Sequence, residues 1–498
     1  MSFAAPASEE RPSDAARRGI GRNTLWSLAG NAGPLAVALL AIPFIIRGLS
    51  AERFGLLNLI WVVVGYFGLF DMGIGRATTK FAAEHLARNE IDRAGGLVWS
   101  SLAMLAGLGL AGSIVLAASA SWITAGLLRI PPELRSEALR ALVILAFAVP
   151  LVLCSAGLRG VLEAQQKFQL ITFIRLPVMI ATIAAPLVVM AFTHDLAAIT
   201  ALLVLCRVAE FLLLAVFALR SVPGLARPRG IGLTDLKRLL GFGGWMTVSN
   251  IIGPLMTYLD RFLISGVMTI AAVAYYATPY DLANRLAVIP GSIAAVLFPA
   301  FTARAAVDPQ RLTALYKRAI TSVLFILTPV VLLLIIFADQ LLTLWLGADF
   351  SLRSTSVLQV LLAGVLFNAA AQISFTMVHA LGRPDLTSKL HLAELPLYLA
   401  ALWMLVSRFG IIGAAIASAI RVVLDLGLLS WTASRMLSES RRNLASLFGT
   451  FLAVAGLLAA AGAAAHELSG TAQRAAALAV IYAVLLAMYQ RPQLGAGE

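Results

Sequence analysis

Long apolar runs, interrupted at short intervals by polar clusters, dominate the chain from residue 24 to residue 490. An apolar stretch of about 20 residues, rising 1.5 Å per residue, crosses the hydrocarbon core of a bilayer as a helix. The pattern predicts fourteen spans, at 24–47, 55–77, 96–120, 139–160, 169–192, 196–219, 243–267, 272–300, 317–338, 354–380, 387–407, 410–434, 443–465 and 472–490. A span as long as 272–300 is expected to tilt or to extend beyond the lipid. The stretch RIPPELRSEA (129–138) starts a helix after paired prolines and is expected on the outer surface. The fold class is an all-α polytopic membrane protein.

The same pattern suggests two halves. WSLAGNAGPL (Trp26 to Leu35) returns as WMTVSNIIGPL (Trp245 to Leu255), with one extra residue. FIRLPV (Phe173 to Val178) lines up with LAELPL (Leu392 to Leu397), and Arg207-x-x-Glu210 with Arg421-x-x-x-Asp425. Between them, 221–242 holds Pro223, Pro228 and several glycines, which break helices. The expected division is a tail (1–23), a first lobe of spans one to six (24–220), a linker (221–242), a second lobe of spans seven to twelve (243–434) and an accessory pair (443–490) with little polar content. Six spans is an even number, so the lobes are expected as parallel repeats about an axis along the membrane normal.

Composition sharpens this. Of 498 residues, 60% are hydrophobic and 13% charged, against about 25% charged in soluble domains. The net charge of +13 raises nucleic-acid binding as a possibility. The basic residues concentrate in alternate loops with a bias of roughly threefold, so the charge is read as the positive-inside signature and no nucleic acid is expected. Both termini are then cytoplasmic. The two cysteines, Cys154 and Cys206, fall within spans and are read as packing residues. GLGLAG (107–112) matches the dinucleotide fingerprint by letter, but it lies mid-span with no strand before it, so close helix packing is expected. There is no phosphate loop and no HExxH motif; His379, His391 and His466 are dispersed and suggest no ligand set. No cofactor, metal or enzymatic reaction is indicated.

A charge in lipid costs at least about 2.5–3.5 kcal/mol, so intramembrane charges face a partner or a cavity. Arg207 and Glu210 share a helix face, as do Arg421 and Asp425, so each pair can neutralise itself. Adjacent Asp260 and Arg261 point in different directions and cannot form one local pair. Asp281 and Arg285 lie in the next span, joined by a short link. Arg175 has no acid at helical spacing within its span. Arg175 and Glu394 lie at similar depth, and Asn31 and Asn250 occupy equivalent positions of spans one and seven. Two readings stay open: pairs that lock helices together, or a cavity lined by Arg175, Arg261, Arg285, Arg207 and Arg421 with Asn31 and Asn250. In the second, Glu210, Asp260, Asp281 and Asp425 orient the arginines or couple ions. Asp71 either anchors a helix end or pairs with Arg76, or it serves as a gate or ion-coupling residue, with Gly73 and Gly75 giving flexibility.

The phrases ERFGLLNLIWVVVGYFGLFDMGIGRATTK, GVLEAQQKF, GGWMTVSNIIGPLMTYLDRFLISG, VAYYATPYDLANRLAVIPGSIAAVLFPAF and LLTLWLGADF resemble the polysaccharide transporter (oligosaccharide flippase, Wzx-type) family over nearly the whole chain. The resemblance implies two six-helix lobes around a central cavity, as in multidrug and toxin extrusion (MATE) transporters, working by alternating access. It also implies a bacterial inner-membrane protein that moves oligosaccharides linked to polyprenyl (pyro)phosphate, such as O-antigen, capsule or exopolysaccharide units, from the inner to the outer leaflet. Its implied partners are the lipid-linked oligosaccharide, membrane lipids and the glycan polymerase machinery. Arginine suits such a headgroup because its planar fork donates paired hydrogen bonds to phosphate and stays charged. Two alternatives remain: a cation-coupled multidrug exporter with acidic cavity walls, and a membrane scaffold with no transport in which every charge is paired.

Overall fold

The computed structural model describes residues 33–34, 36–67, 71, 73–221, 232, 239, 255–307, 309–437, 440–468 and 470–494. Every element among them is helical: α1 (Ala36–Gly48), α2 (Ala51–Phe67), α3 (Ile74–Ala87), α4 (Ile91–Trp122), α5 (Pro132–Ala146), α6 (Ala148–Ala164), α7 (Phe168–Met190), α8 (Leu196–Ser221), α9 (255–267), α10 (Ile270–Asn284), α11 (Val288–Val307), α12 (Pro309–Ile336), α13 (Ala338–Leu346), α14 (Ala348–Ala380), α15 (Pro384–Met436), α16 (Ser440–Glu467) and α17 (Thr471–Leu494). Nine helical runs among the described residues are long and apolar enough to cross a membrane, and two shorter apolar helices accompany them. Helices satisfy every backbone group internally, which lipid demands. Large apolar side chains such as Leu110, Ile114, Val115 and Phe192 are exposed on the protein, the arrangement lipid requires of a spanning helix.

Backbone packing divides the chain into two units, one of 1–49, 60–121 and 135–250, the other of 50–59, 122–134 and 251–498. In the first, α6 packs on α3 and α8, and α7 on α8. Small residues set these approaches. A Cβ on Gly160 would stand 2.6 Å from the Gly75 carbonyl oxygen, and one on Gly109 would stand 2.4 Å from the Pro150 Cα. Thus GLGLAG is a helix-packing surface within α4, as its context predicts. In the second unit α14 is the hub, packing against α10, α11, α12, α13 and α15.

The helix boundaries depart from the expected spans in several places. The span 55–77 is interrupted: α2 ends at Phe67, and α3 starts at Ile74 after Gly73 in a left-handed conformation (φ 66°). Both Asp71 carboxylate oxygens accept backbone N–H groups, from Gly73 at 2.9 Å and Gly75 at 3.1 Å. Asp71 therefore caps a helix start, with Gly73 at the left-handed turn and Gly75 closely packed against the Ala156 carbonyl. The stretch 129–138 starts a helix at Pro132, after the paired prolines, with Glu133, Arg135 and Ser136 exposed. From Pro132 it belongs to a helical run reaching Ala164, and its Glu137 is buried, accepting the Leu196 N–H at 2.6 Å at the start of α8. The long span 272–300 lies within one helical run, Ile270–Thr302, which tightens to a 3-10 turn at Arg285–Ala287. The short helix α13 was not anticipated.

Residues 384–436 would make about 80 Å of straight helix, far beyond a bilayer. Gly410 (φ 63°, ψ −141°) reverses the chain instead. A Cβ on Gly413 would lie 2.0 Å from the Leu405 carbonyl oxygen, and Arg421 lies over Tyr398. The two arms, 384–409 and 411–436, are antiparallel, as the two expected spans require. The last helices are less apolar in their roles than expected. Arg474 is buried and donates to Asp339 Oδ1 at 2.6 Å and to the carbonyls of Ile336, Ala465 and Leu468.

Candidate functional site

The link between α9 and α10 is short. Thr269 caps α10 by accepting the Ala272 N–H at 3.3 Å. The two helices therefore stand side by side, and Arg261 reaches Asp281 across them, Nη2 to Oδ1, at 2.5 Å. Asp260 turns elsewhere: its carboxylate accepts the Tyr276 hydroxyl at 2.6 Å and is 1% exposed. Adjacent Asp260 and Arg261 do serve different partners. Arg261 is itself 3% exposed and stands 5.2 Å from the Tyr258 ring and 5.7 Å from the Tyr280 ring. It is a buried, ion-paired group within this unit, and its partner Asp281 is the more exposed of the two. Asp281 is correspondingly engaged by Arg261 rather than by Arg285. Arg285, in the turn after α10, is exposed and enters no ion pair among the described residues.

Arg421 and Asp425 do not neutralise each other. Asp425 Oδ1 instead lies 3.4 Å from His391 Nε2, on the other arm of α15. Arg421 stands 5.5 Å from the Tyr398 ring. It lines a pocket with Tyr280, Asn284, Asn368 and Ser418, contributed by α10, α14 and α15. The rest of its lining is apolar or glycine, including Ala283, Leu361, Val365 and Val422, so one guanidinium and a few hydroxyl and amide groups stand in an apolar wall. A positive charge beside polar groups can serve an oxyanion.

In the other unit, Arg207 Nη1 donates to Glu210 Oε2 at 2.7 Å. Arg175 has an acid after all, supplied by the neighbouring helix: its Nε is 3.9 Å from Glu210 Oε1. One carboxylate thus serves two guanidinium groups, leaving an excess positive charge, and the Arg175 side chain is 43% exposed. Asn31 and Asn250 lie outside the described residues, as do most of the paired WSLAGNAGPL and WMTVSNIIGPL segments.

Sequence reasoning missed Tyr276, Tyr280 and Asn284. Their spacing of four within VAYYATPYDLANR puts them on one face of α10, a signal that was legible. It also missed His391 as a partner of Asp425. His391, Glu394 and Asp425 present donor atoms within 4.8 Å of one another. The first two sit one turn apart on one arm, but the third is visible only once Gly410 folds the hairpin.

A family model described as polysaccharide biosynthesis protein matches residues 44–354. The chain is 32% identical over 420 residues to a Shigella flexneri protein described as "Putative O-antigen transporter", covering 84% of this chain and 98% of that one. The chain belongs to the polysaccharide biosynthesis protein family. Among solved structures, the lipid II flippase MurJ in an inward closed conformation superposes with a TM-score of 0.68 at 14% identity, covering 95% of this chain and 100% of that one. An inward-facing multidrug resistance MATE family transporter of the MOP superfamily gives 0.67 at 16% identity, covering 80% and 94%. The fold is MATE-like and MurJ-like, and the chain is a multi-pass membrane protein.

Proposed function

We propose that this chain is a flippase that moves an oligosaccharide linked to a polyprenyl (pyro)phosphate from the inner to the outer leaflet, by alternating access of its two lobes, 24–220 and 243–434. The observation that carries this reading is the 32% identity to the Shigella flexneri protein described as "Putative O-antigen transporter", across nearly all of that protein. The charge distribution fits an anionic headgroup. Arg421 lines a pocket that also holds Tyr280, Asn284, Asn368 and Ser418, Arg285 is exposed, and Arg175 and Arg207 share one acid. The lipid tail stays in the bilayer while the head crosses, and each arginine lowers the cost of desolvating phosphate. No covalent chemistry is needed, so the chain is a transporter and not an enzyme. It works in a bacterial inner membrane with both termini cytoplasmic, alongside glycan polymerase machinery.

The multidrug exporter reading has a comparable fold likeness, with TM-scores of 0.67 and 0.68 for the two types of neighbour. The fold does not separate them; the free arginines favour the flippase reading. A cation exporter needs acidic cavity walls and no free arginine, whereas here Glu210 and Asp281 are engaged by arginine, and Arg285 and Arg421 enter no ion pair among the described residues, although Glu394 and Asp425 are carboxylates without an arginine partner. Mass spectrometry of lipid extracts from cells lacking the chain tests the proposal. Accumulation of a lipid-linked oligosaccharide supports it, and an unchanged lipid-linked pool with altered drug sensitivity points to the exporter.

A further inference from the structure

We propose that His391, Glu394 and Asp425 form a binding site for one divalent transition-metal cation, of the Zn2+ or Mn2+ class, that ties the two arms of α15 together. Three donor atoms, one imidazole nitrogen and two carboxylate oxygens, lie within 4.8 Å of one another. His391 and Glu394 share a face one turn apart, and Asp425 comes from the returning arm.

Glu394 makes the case for a missing positive charge. It is 5% exposed, and neither of its carboxylate oxygens has a hydrogen-bond partner among the described residues. Asp425 is 7% exposed and its Oδ1 lacks a hydrogen bond. Two carboxylates enclosed in this way, with only the His391 imidazole beside them, call for a compensating positive charge or a proton. Arg421 lies one turn before Asp425 but forms no ion pair with it, and is directed to Tyr398 and its own pocket. A dication balances the two carboxylates and takes the neutral imidazole as its third ligand.

The donor set chooses the kind of ion. Imidazole with carboxylate suits zinc or manganese, while sodium, magnesium and calcium prefer oxygen alone. Around a tetrahedral ion with bonds of about 2.0–2.1 Å, ligand atoms stand roughly 3.4 Å apart. His391 Nε2 and Asp425 Oδ1 are 3.4 Å apart. Phe375 stacks on the His391 ring, with centroids 6.1 Å apart and planes 5° apart, and so fixes its orientation. The His391 side chain is 25% exposed, which leaves an open position for water and a route of entry.

The test uses the full-length protein in detergent, stripped with chelator and titrated with Zn2+ and, separately, Mn2+. One ion should remain per chain after gel filtration, measured by elemental mass spectrometry, and should raise the thermal unfolding midpoint, because an ion that binds only the folded state stabilises it. His391→Ala, Glu394→Gln and Asp425→Asn should each weaken binding by about ten-fold or more, the scale that even outer-shell changes reach at metal sites, and His466→Ala should not. Absence of stoichiometric ion in the wild type, or equal binding in all four variants, overturns the site. So does a Glu394→Gln protein that is more stable than wild type in chelator while the wild type binds no ion, since that marks a protonated carboxyl pair instead. None of these readouts depends on transport, so the flippase reading stands or falls separately.

Discussion

The Tyr276 hydroxyl donates to Asp260 at 2.6 Å, and this one bond leaves the neighbouring Arg261 to Asp281. Asp260 and Tyr276 are both fully enclosed, on α9 and α10. Tyr276→Phe keeps the ring but removes the donor. It should cost about 1–3 kcal/mol, the penalty for a buried polar group left unsatisfied. Thermal unfolding in detergent measures it, and a midpoint equal to wild type would contradict this role.

Helix packing in the first unit makes a sharper demand. At Gly160 a methyl group would meet the Gly75 backbone carbonyl at 2.6 Å, and backbone cannot swing aside as a side chain can. Gly160→Ala should destabilise the protein by about 1–3 kcal/mol through forced separation of α3 and α6. Gly65→Ala, where nothing lies within 4 Å, serves as the comparison and should behave as wild type. Protein yield and unfolding midpoint report both.

Arg474 is the staple of the C-terminal helices. It carries a charge-assisted bond to Asp339 and donates to three carbonyls. Arg474→Ala strips all of these at once and should cost roughly 3 kcal/mol or more. The loss should appear as early proteolysis within α16 and α17 ahead of the rest of the chain. Unchanged protease resistance would show that apolar packing alone holds the pair.

The apolar pattern carried the fold class, because spanning helices need only length and hydropathy to be recognised. It also placed a break between residues 407 and 410, where Gly410 reverses the chain. It could not show interruptions inside apolar runs. Asp71 and Gly73 split one expected span because a cap and a left-handed residue act locally, and a hydropathy window averages over them. Partnerships within a helix were partly legible: Arg207 and Glu210 meet at a spacing of three. Partnerships between helices were not. Arg175 finds Glu210 across α7 and α8, and Asp425 finds His391 across the hairpin. The second case also shows why spacing alone misled: Arg421 and Asp425 stand four apart, yet each has a better neighbour on the facing arm.

Arg261 and Arg421 should behave differently when replaced. Arg261 is buried and bonded to Asp281, so Arg261→Ala strands that acid and its aromatic neighbours, and should lower the folded yield as well as transport. Arg421 forms no ion pair among the described residues, so Arg421→Ala should leave yield near wild type and act on transport alone. Membrane abundance measured beside surface glycan separates the two effects. Equal yields for both variants would contradict the distinction.

The central claim is that guanidinium groups carry an anionic headgroup across the membrane, and Arg421 tests it most directly. Cells lacking the chain are complemented with wild type, Arg421→Ala or Arg421→Lys, and surface glycan and lipid-linked oligosaccharide are quantified at matched membrane abundance. Loss of charge-assisted bonds worth about 1.5–3 kcal/mol should reduce surface glycan by roughly ten- to hundred-fold in Arg421→Ala. Lipid-linked oligosaccharide should build up in parallel, with partial recovery in Arg421→Lys. Wild-type glycan and no accumulated intermediate in Arg421→Ala would contradict the account.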